Sequence, residues 1–182
     1  MSRIPTPVSI DAAPEASRGP LEAVNNLLGS VPNMFRIIAN SPQTLEGYLG
    51  LNGALGKGSL NAQTRERIAL AVAEVNDCGY CLAAHSYLGT NLARLSTAEI
   101  EANRRGTSGD EKAAIAVGFA ARIAHHRGKV SESDLQAVRD AGYSDAEIVE
   151  IVGHVAVNTL TNYINLVLGT DIDFPTVDTL AA

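Results

Sequence analysis

Apolar side chains recur three and four residues apart along this chain, and nowhere do they alternate between turn signals as a strand requires. Taken in order, the pattern predicts a short helix from Leu21 to Leu28, ended by Gly29, and a second over about 33–39 between Pro32 and Pro42. Ser41-Pro42 supplies an N-cap and a first-turn proline for a longer helix. Asn61 caps the next, about 62–76, in which Ile68, Leu70, Ala71, Val72 and Val75 leave little polar surface, so this helix is read as largely buried. After a break near Asn76-Asp77 another helix runs through Leu88 and stops around Gly89. Ser96-x-x-Glu99, Ser108-x-x-Glu111 and Ser144-x-x-Glu147 each spell a capping box. They open helices at about 97–104, 109–126 and 145–168, and Ser131 opens one at about 132–141. The last long helix is apolar on most sides from Ile148 to Leu168, which places it at the centre of the fold or at a subunit interface. The fold class expected is all-α.

Pro5, Pro7 and Pro14 and the weak periodicity around them mark residues 1–19 as an extended N-terminal arm. One helical domain follows over 20–170, with a C-terminal tail over 171–182. Gly47, Gly50, Gly53 and Gly56 interrupt the third helix, each at a cost of about 1 kcal/mol against alanine. Either a second helix approaches that backbone closely or the glycines form a phosphate loop. No Lys-Ser/Thr follows and no strand precedes, so close helix approach is the preferred reading.

A chain of 182 residues with 46% apolar content forms one domain. It buries about 70% of its unfolded surface and needs no disulfide to hold its core. A formal charge of −6 argues against a nucleic-acid partner, which calls for a basic face. Met1-Ser2-Arg3-Ile4-Pro5 lacks the apolar core of a signal peptide. No uninterrupted apolar run approaches the roughly 18 residues that span a bilayer. A cytoplasmic protein without a membrane partner is expected. There, a lone Cys-x-x-Cys is catalytic or metal-binding more often than structural.

That pair lies in Asp77-Cys78-Gly79-Tyr80-Cys81-Leu82-Ala83-Ala84-His85, which holds both cysteines of the chain. In a helical register Cys78 and Cys81 stand at i,i+3 and Cys81 and His85 at i,i+4, so all three side chains line one stripe. One helical turn keeps two Cα atoms within the roughly 4.4–6.8 Å that a disulfide needs. A thiol of pKa about 8.5 is only a few per cent ionised at neutral pH and needs a lever to become a nucleophile. The helix N-terminus is one lever and favours Cys78; His85, one turn from Cys81, is another. Glu66 sits in the preceding buried helix, where a carboxylate needs a polar partner. Antiparallel packing of the two helices would bring it to the His85 end of the stripe, giving a base, an orienting carboxylate and a thiol.

Rival readings are weaker. Zinc at Cys78, Cys81 and His85 would have to gather ligands about 10 Å apart along a regular helix axis. Haem attachment needs histidine directly after the second cysteine, where Leu82 stands. A thioredoxin fold needs strands, and buried inert cysteines remain an alternative. Glu66 and Glu74 have structural readings as ion-pair partners. His125, His126 and His154 are read as solvated or core histidines, and Arg104-Arg105 as a solvated turn.

The stretch Arg65-Glu66-Arg67 through Glu74-Val75-Asn76-Asp77-Cys78-Gly79-Tyr80-Cys81-Leu82-Ala83-Ala84-His85 resembles the core of the alkyl hydroperoxidase D (AhpD)-like, carboxymuconolactone decarboxylase superfamily. The tail Gly169-Thr170-Asp171-Ile172-Asp173-Phe174-Pro175 is similar to the peroxidase-related branch, so the resemblance covers about 20–175. It implies an AhpD-like all-helical domain, homo-oligomers such as trimers or hexamers, and cysteine-based reduction of a hydroperoxide without metal or cofactor. A dithiol electron donor would be the partner. It also implies a proton relay through Glu66 and His85, with Cys81 meeting peroxide and Cys78 resolving the sulfenic acid. Tyr80 stands where the namesake enzyme has a second histidine between the cysteines. Members that decarboxylate lactones lack the cysteine pair. A non-catalytic oligomeric module that senses redox state, or a general thiol–disulfide oxidoreductase, is the alternative.

Overall fold

The structure, a computed structural model, describes residues 1–178 and 180. Its helices are α1 (Glu15–Leu28), α2 (Asn33–Ile38), α3 (Pro42–Leu55), α4 (Ala62–Val75), α5 (Gly79–Asn91), α6 (Thr97–Arg104), α7 (Glu111–His125), α8 (Glu132–Asp140) and α9 (Asp145–Leu168). No strand occurs among the described residues.

At the centre lies α4, which is buried without interruption from Arg67 to Ala73. Its neighbours are α5, α6, α7 and α9. One core cluster joins Ile68 and Val72 to Phe119 and Ala120 of α7 and to Ile151 and Val155 of α9. A second joins Leu21, Ile37, Ile38, Leu45 and Tyr48 to Val157. Full burial of each such aliphatic side chain is worth about 1.5–3 kcal/mol, which fixes the layering of α4 between α7 and α9. The 24-residue α9 is long and apolar enough, by length and hydropathy alone, to cross a bilayer. Runs of uninterrupted apolar residues miss it because Glu147, Glu150 and three asparagines punctuate it. In this fold it lies along α3, α4 and α7.

Several helix ends differ from the expected ones for local reasons. The first helix starts at Glu15 rather than Leu21 and carries Pro20 inside it. The buried Ser17 Oγ donates to Ala39 O at 2.7 Å, and Leu21 and Val24 are buried, so tertiary contacts hold a turn that proline alone would end. Ser144 and Ser131 close reciprocal capping boxes with Glu147 and Asp134. Ser108 does not cap α7; Asp110 does, accepting from Ala113 N at 2.8 Å. Gly47, Gly50 and Gly53 have nothing within 4 Å of an added Cβ, so no helix of this chain approaches them. The close approach of α3 to α9 rests instead on Gly153, whose added Cβ would lie 2.9 Å from Leu55 Cδ2.

The first residues lie against the end of α9: Arg3 N donates to Leu168 O at 2.7 Å and Arg3 Nη1 to Val167 O at 3.1 Å. A cation there suits the negative end of the helix dipole. The N-terminal ammonium is 2.7 Å from Asp171. Of the expected tail, residues 179, 181 and 182 lie outside the described residues.

Ser108, freed from capping, donates to Glu99 instead. Asn103 Nδ2 (2.9 Å), Gly109 N (2.9 Å) and Arg67 Nε (2.8 Å) bond the same carboxylate. Burial alone would raise the Glu99 pKa, but these donors outweigh it and pull it from 4.5 to about 2. Such a depressed group contributes stability above its unfolded pKa and loses it as pH falls through the folded one. Glu99→Gln should therefore lower Tm at neutral pH by about 4 °C or more. The gap to wild type should close as pH falls from about 4.5 towards 2. Thermal denaturation followed by circular dichroism across that range checks this; a gap that is constant with pH contradicts it.

Candidate functional site

The chain between α4 and α5 turns at three residues. Asp77 adopts a left-handed conformation, φ 53°, which costs a non-glycine residue about 1–2 kcal/mol. In return Cys78 N reaches Ala73 O (3.0 Å) and Asp77 N reaches Glu74 O (3.0 Å), closing the end of α4 in a Schellman arrangement. Cys78 is then the N-cap of α5, extended at φ −94° and ψ 90°, and its Sγ accepts from Cys81 N at 3.3 Å. The expected register is corrected here: Cys78 caps the helix and is not one of its turns. The separation survives the change, and Cys78 and Cys81 form a disulfide with Cα atoms 5.3 Å apart. As a thiolate, Cys78 would face the unpaired amides at the start of α5.

Packing of α4 against α5 brings Glu66 to His85, with Nδ1 and Oε2 2.8 Å apart. Pairing of Nδ1–H with the carboxylate leaves Nε2 free to accept a proton. Of the four residues picked out from sequence, three — Glu66, Cys81 and His85 — share the wall of one cavity of about 440 Å³. Cys78 does not line it and is 1% exposed, against 3% for Cys81. Tyr48, Phe35, Tyr87 and Phe174 supply aromatic walls. Burial, with the Glu66 carboxylate nearby, pushes the Tyr48 phenol up to about 12, so it stays protonated. A second, polar cavity of about 220 Å³ lies beyond the Glu66–His85 pair and shares Tyr48, Asn52, Glu66 and His85 with the first. His154 lines it; burial lowers its pKa and favours neutral imidazole.

The remaining sequence candidates have structural places. Glu74 Oε2 pairs with Arg104 Nε at 2.6 Å. Arg104 is buried, which overturns its reading as part of a solvated turn. His125 and His126 are exposed, with ring centroids 4.9 Å apart. Among the described residues, no three His, Cys, Asp or Glu side chains are grouped so as to hold a metal ion.

Sequence reasoning missed two contributors. The tail over 171–177 folds back on the cysteine turn. Tyr80 OH donates to Asp173 Oδ1 (2.8 Å) and accepts from Met34 N (3.1 Å), and Asp173 also accepts from Asn33 N (2.7 Å). Phe174 stands edge-on to Tyr80 at 5.8 Å, and with Val177 it packs over the cluster containing both cysteines. Tyr80 thus fastens the tail, and burial, reinforced by Asp173, pushes its phenol well up. The second contributor is Asn165, whose Nδ2 lies 3.4 Å from Cys81 Sγ. Asn158, Asn162 and Asn165 stand at i, i+4 and i+7 in an otherwise apolar helix, and all are buried. That stripe was the legible signal. A buried amide atom without a partner costs about 1–3 kcal/mol, and Asn165 Oδ1 and Asn162 Nδ2 are both of this kind.

With this geometry the chain can be set beside known proteins. The carboxymuconolactone decarboxylase family profile matches residues 42–122. A solved peroxidase-related protein from Ralstonia eutropha JMP134, described as an alkylhydroperoxidase AhpD core, is 26% identical. The match covers 94% of this chain and 92% of that one, with a TM-score of 0.83. A peroxidase-related protein from Silicibacter sp. TM1040 is similar in fold at 24% identity, covering 92% and 91%, TM-score 0.79. The debrominase Bmp8 shares the fold at 19% identity, covering 92% and 91%, TM-score 0.78. A comparison with curated protein sequences finds no significant match.

If Tyr80 fastens the tail, Tyr80→Phe should raise amide hydrogen exchange in 171–177 about tenfold while α4 and α7 keep their protection. Hydrogen exchange read by mass spectrometry checks this, and unchanged tail protection would show that Phe174 packing alone suffices.

Proposed function

The chain belongs to the AhpD-like, carboxymuconolactone decarboxylase superfamily, and we propose that within it this protein is a thiol-dependent peroxidase acting through Cys81 and Cys78. The observation that carries the reading is a disulfide-forming pair of which one sulfur, Cys81, shares the wall of an apolar cavity with a hydrogen-bonded Glu66–His85 pair. The cysteine pair sets this chain apart from lactone decarboxylation.

In the dithiol state, His85 takes the Cys81 proton, and Glu66 holds the imidazole in the accepting tautomer. The Cys81 thiolate attacks the distal oxygen of hydrogen peroxide or an organic hydroperoxide. The O–O bond breaks, Cys81 becomes a sulfenic acid, and the relay returns the proton to the departing oxygen, which leaves as water or alcohol. Cys78 then attacks the Cys81 sulfur, and the sulfenic oxygen leaves with a proton as water. Its place as N-cap favours the thiolate that this step needs. A dithiol donor, available in a cytoplasmic setting, supplies two electrons and two protons to restore both thiols. With Cys78 off the cavity wall, peroxide meets Cys81 first.

The cysteine variants test the order of events. One equivalent of hydroperoxide should leave a trappable sulfenic acid on Cys81 in Cys78→Ser, and Cys81→Ser should react at least about a hundredfold more slowly. Mass spectrometry locating the sulfenic acid on Cys78 instead would reverse the assignment. Glu66→Gln, which keeps the shape but not the basicity, should slow oxidation about ten- to a hundredfold with the fold intact. Variants that all consume hydroperoxide at the wild-type rate would favour a non-catalytic redox-sensing module.

We also place the protein in a symmetric homo-oligomer, a trimer or hexamer by resemblance. The outward face of α9 exposes Val149, Val152, Tyr163 and Val167, and α3 presents Gly47, Gly50 and Gly53 with open space beside them. Light scattering at micromolar concentration should give a multiple of the 19.1 kDa chain mass. A monomer would contradict it.

A further inference from the structure

The side-chain amide of Asn165 uses one of its two polar atoms. Nδ2 lies 3.4 Å from Cys81 Sγ, within hydrogen-bond reach of a sulfur. Oδ1 is buried and has no partner. The residue is 4% exposed, so bulk water does not compete for either atom. Nor is the side chain engaged in ending α9: Gly169 N and Thr170 N both bond the backbone carbonyl of Asn165. A polar side chain held on a rigid helix, against the reacting sulfur and with its other end unsatisfied, is poorly explained as packing.

We propose that Asn165 is a catalytic residue that sets the nucleophilicity of Cys81, donating through Nδ2 to the sulfur as thiolate and, with the amide turned over, accepting through Oδ1 from the sulfur as thiol. The inference rests on the peroxidase reading for its purpose, since it makes Cys81 the sulfur that must be ionised. Donation to the anion is charge-assisted and the stronger of the two bonds, so the net effect is a lower Cys81 pKa. A neutral amide does this without adding a titrating group to the site. The titratable groups that share the cavity are Glu66 from α4, His85, Tyr80 and Tyr87 from α5, and Tyr48 from α3; none is altered in the variants below. Helix-end amides serve Cys78, leaving Cys81 in need of a separate donor, which the side-chain amide of Asn165 supplies. The two sulfurs thereby have different stabilisers for their different tasks.

The test uses a Cys78→Ser background, in which serine keeps the N-cap and Cys81 is the one titrating thiol. Thiolate absorbance and the rate of iodoacetamide alkylation are followed against pH. Asn165→Ala should raise the Cys81 pKa by about one unit and slow alkylation about tenfold at neutral pH, the rates converging where both thiols are fully ionised. Asn165→Asp, close to isosteric, should raise the pKa further by placing a like charge at the sulfur, and it reads the same titration if alanine loosens the fold. A Cys81 titration unmoved in a folded Asn165→Asp or Asn165→Ala variant overturns the proposal. Hydroperoxide consumption by the wild type is measured alongside. A shifted titration with no consumption would support the Asn165 contact and overturn the peroxidase reading, so the two fail separately.

Discussion

Cys78 closes one helix and opens the next. Its N–H finishes the end of α4 on Ala73 O, while its Sγ accepts from Cys81 N, a free amide of the first turn of α5. The left-handed Asp77 makes both bonds available, at a conformational cost that the Schellman bonds offset. Because the turn is this tight, α5 folds directly back on α4 and Glu66 meets His85 without further apparatus. The disulfide spacing, the N-cap and the Glu66–His85 pairing therefore depend on one backbone turn. A looser connection would leave the same four side chains in the sequence with no common site.

The remainder of the fold walls that turn in. Below it, α4 is anchored between α7 and α9 by Ile68, Val72, Phe119 and Ile151. Beside it, α9 turns a polar stripe inward at Asn158, Asn162 and Asn165 while keeping an apolar outer face. Above it, the tail lies over the cysteines, held by Asp173 on Tyr80 and Asn33 and by Phe174. The result is a nearly dry disulfide at the edge of an apolar cavity, with a polar cavity behind the Glu66–His85 pair. A low-dielectric setting strengthens the few hydrogen bonds that reach the sulfurs, which is why single contacts there carry weight.

Much of this was legible in the residues, and the exceptions have physical causes. The apolar run of α4, the capping boxes at Ser131 and Ser144 and the αL glycines at Gly29 and Gly169 depend on neighbours in sequence, so local rules found those ends. The meeting of Glu66 and His85 followed from helical register plus antiparallel packing. The start of α1, the burial of Arg104 against Glu74 and the diversion of Ser108 to Glu99 depend on partners 22, 30 and 9 residues away, which no local rule contains. The break at Asn76-Asp77 was legible, but Asp marks a positive φ more weakly than Gly, so the sequence did not show that Cys78 caps the helix instead of lying within it. The glycines of α3 suggested close approach by another helix; within this chain the close contact of α3 is made instead at Gly153, on α9. The asparagine stripe marks Asn165 as unusual in its helix, but its partner Cys81 lies 84 residues away, where no local rule reaches.

The central claim is that the Cys78–Cys81 pair is a two-electron centre spent on hydroperoxide. Its most direct measurement is a titration of the fully reduced wild-type chain with a hydroperoxide, counting thiols lost and alcohol formed under exclusion of oxygen. The account predicts that one equivalent of hydroperoxide consumes both thiols, yields one equivalent of alcohol and leaves an intramolecular disulfide that a dithiol reverses. Thiols that persist through excess hydroperoxide, with no alcohol released, would contradict it.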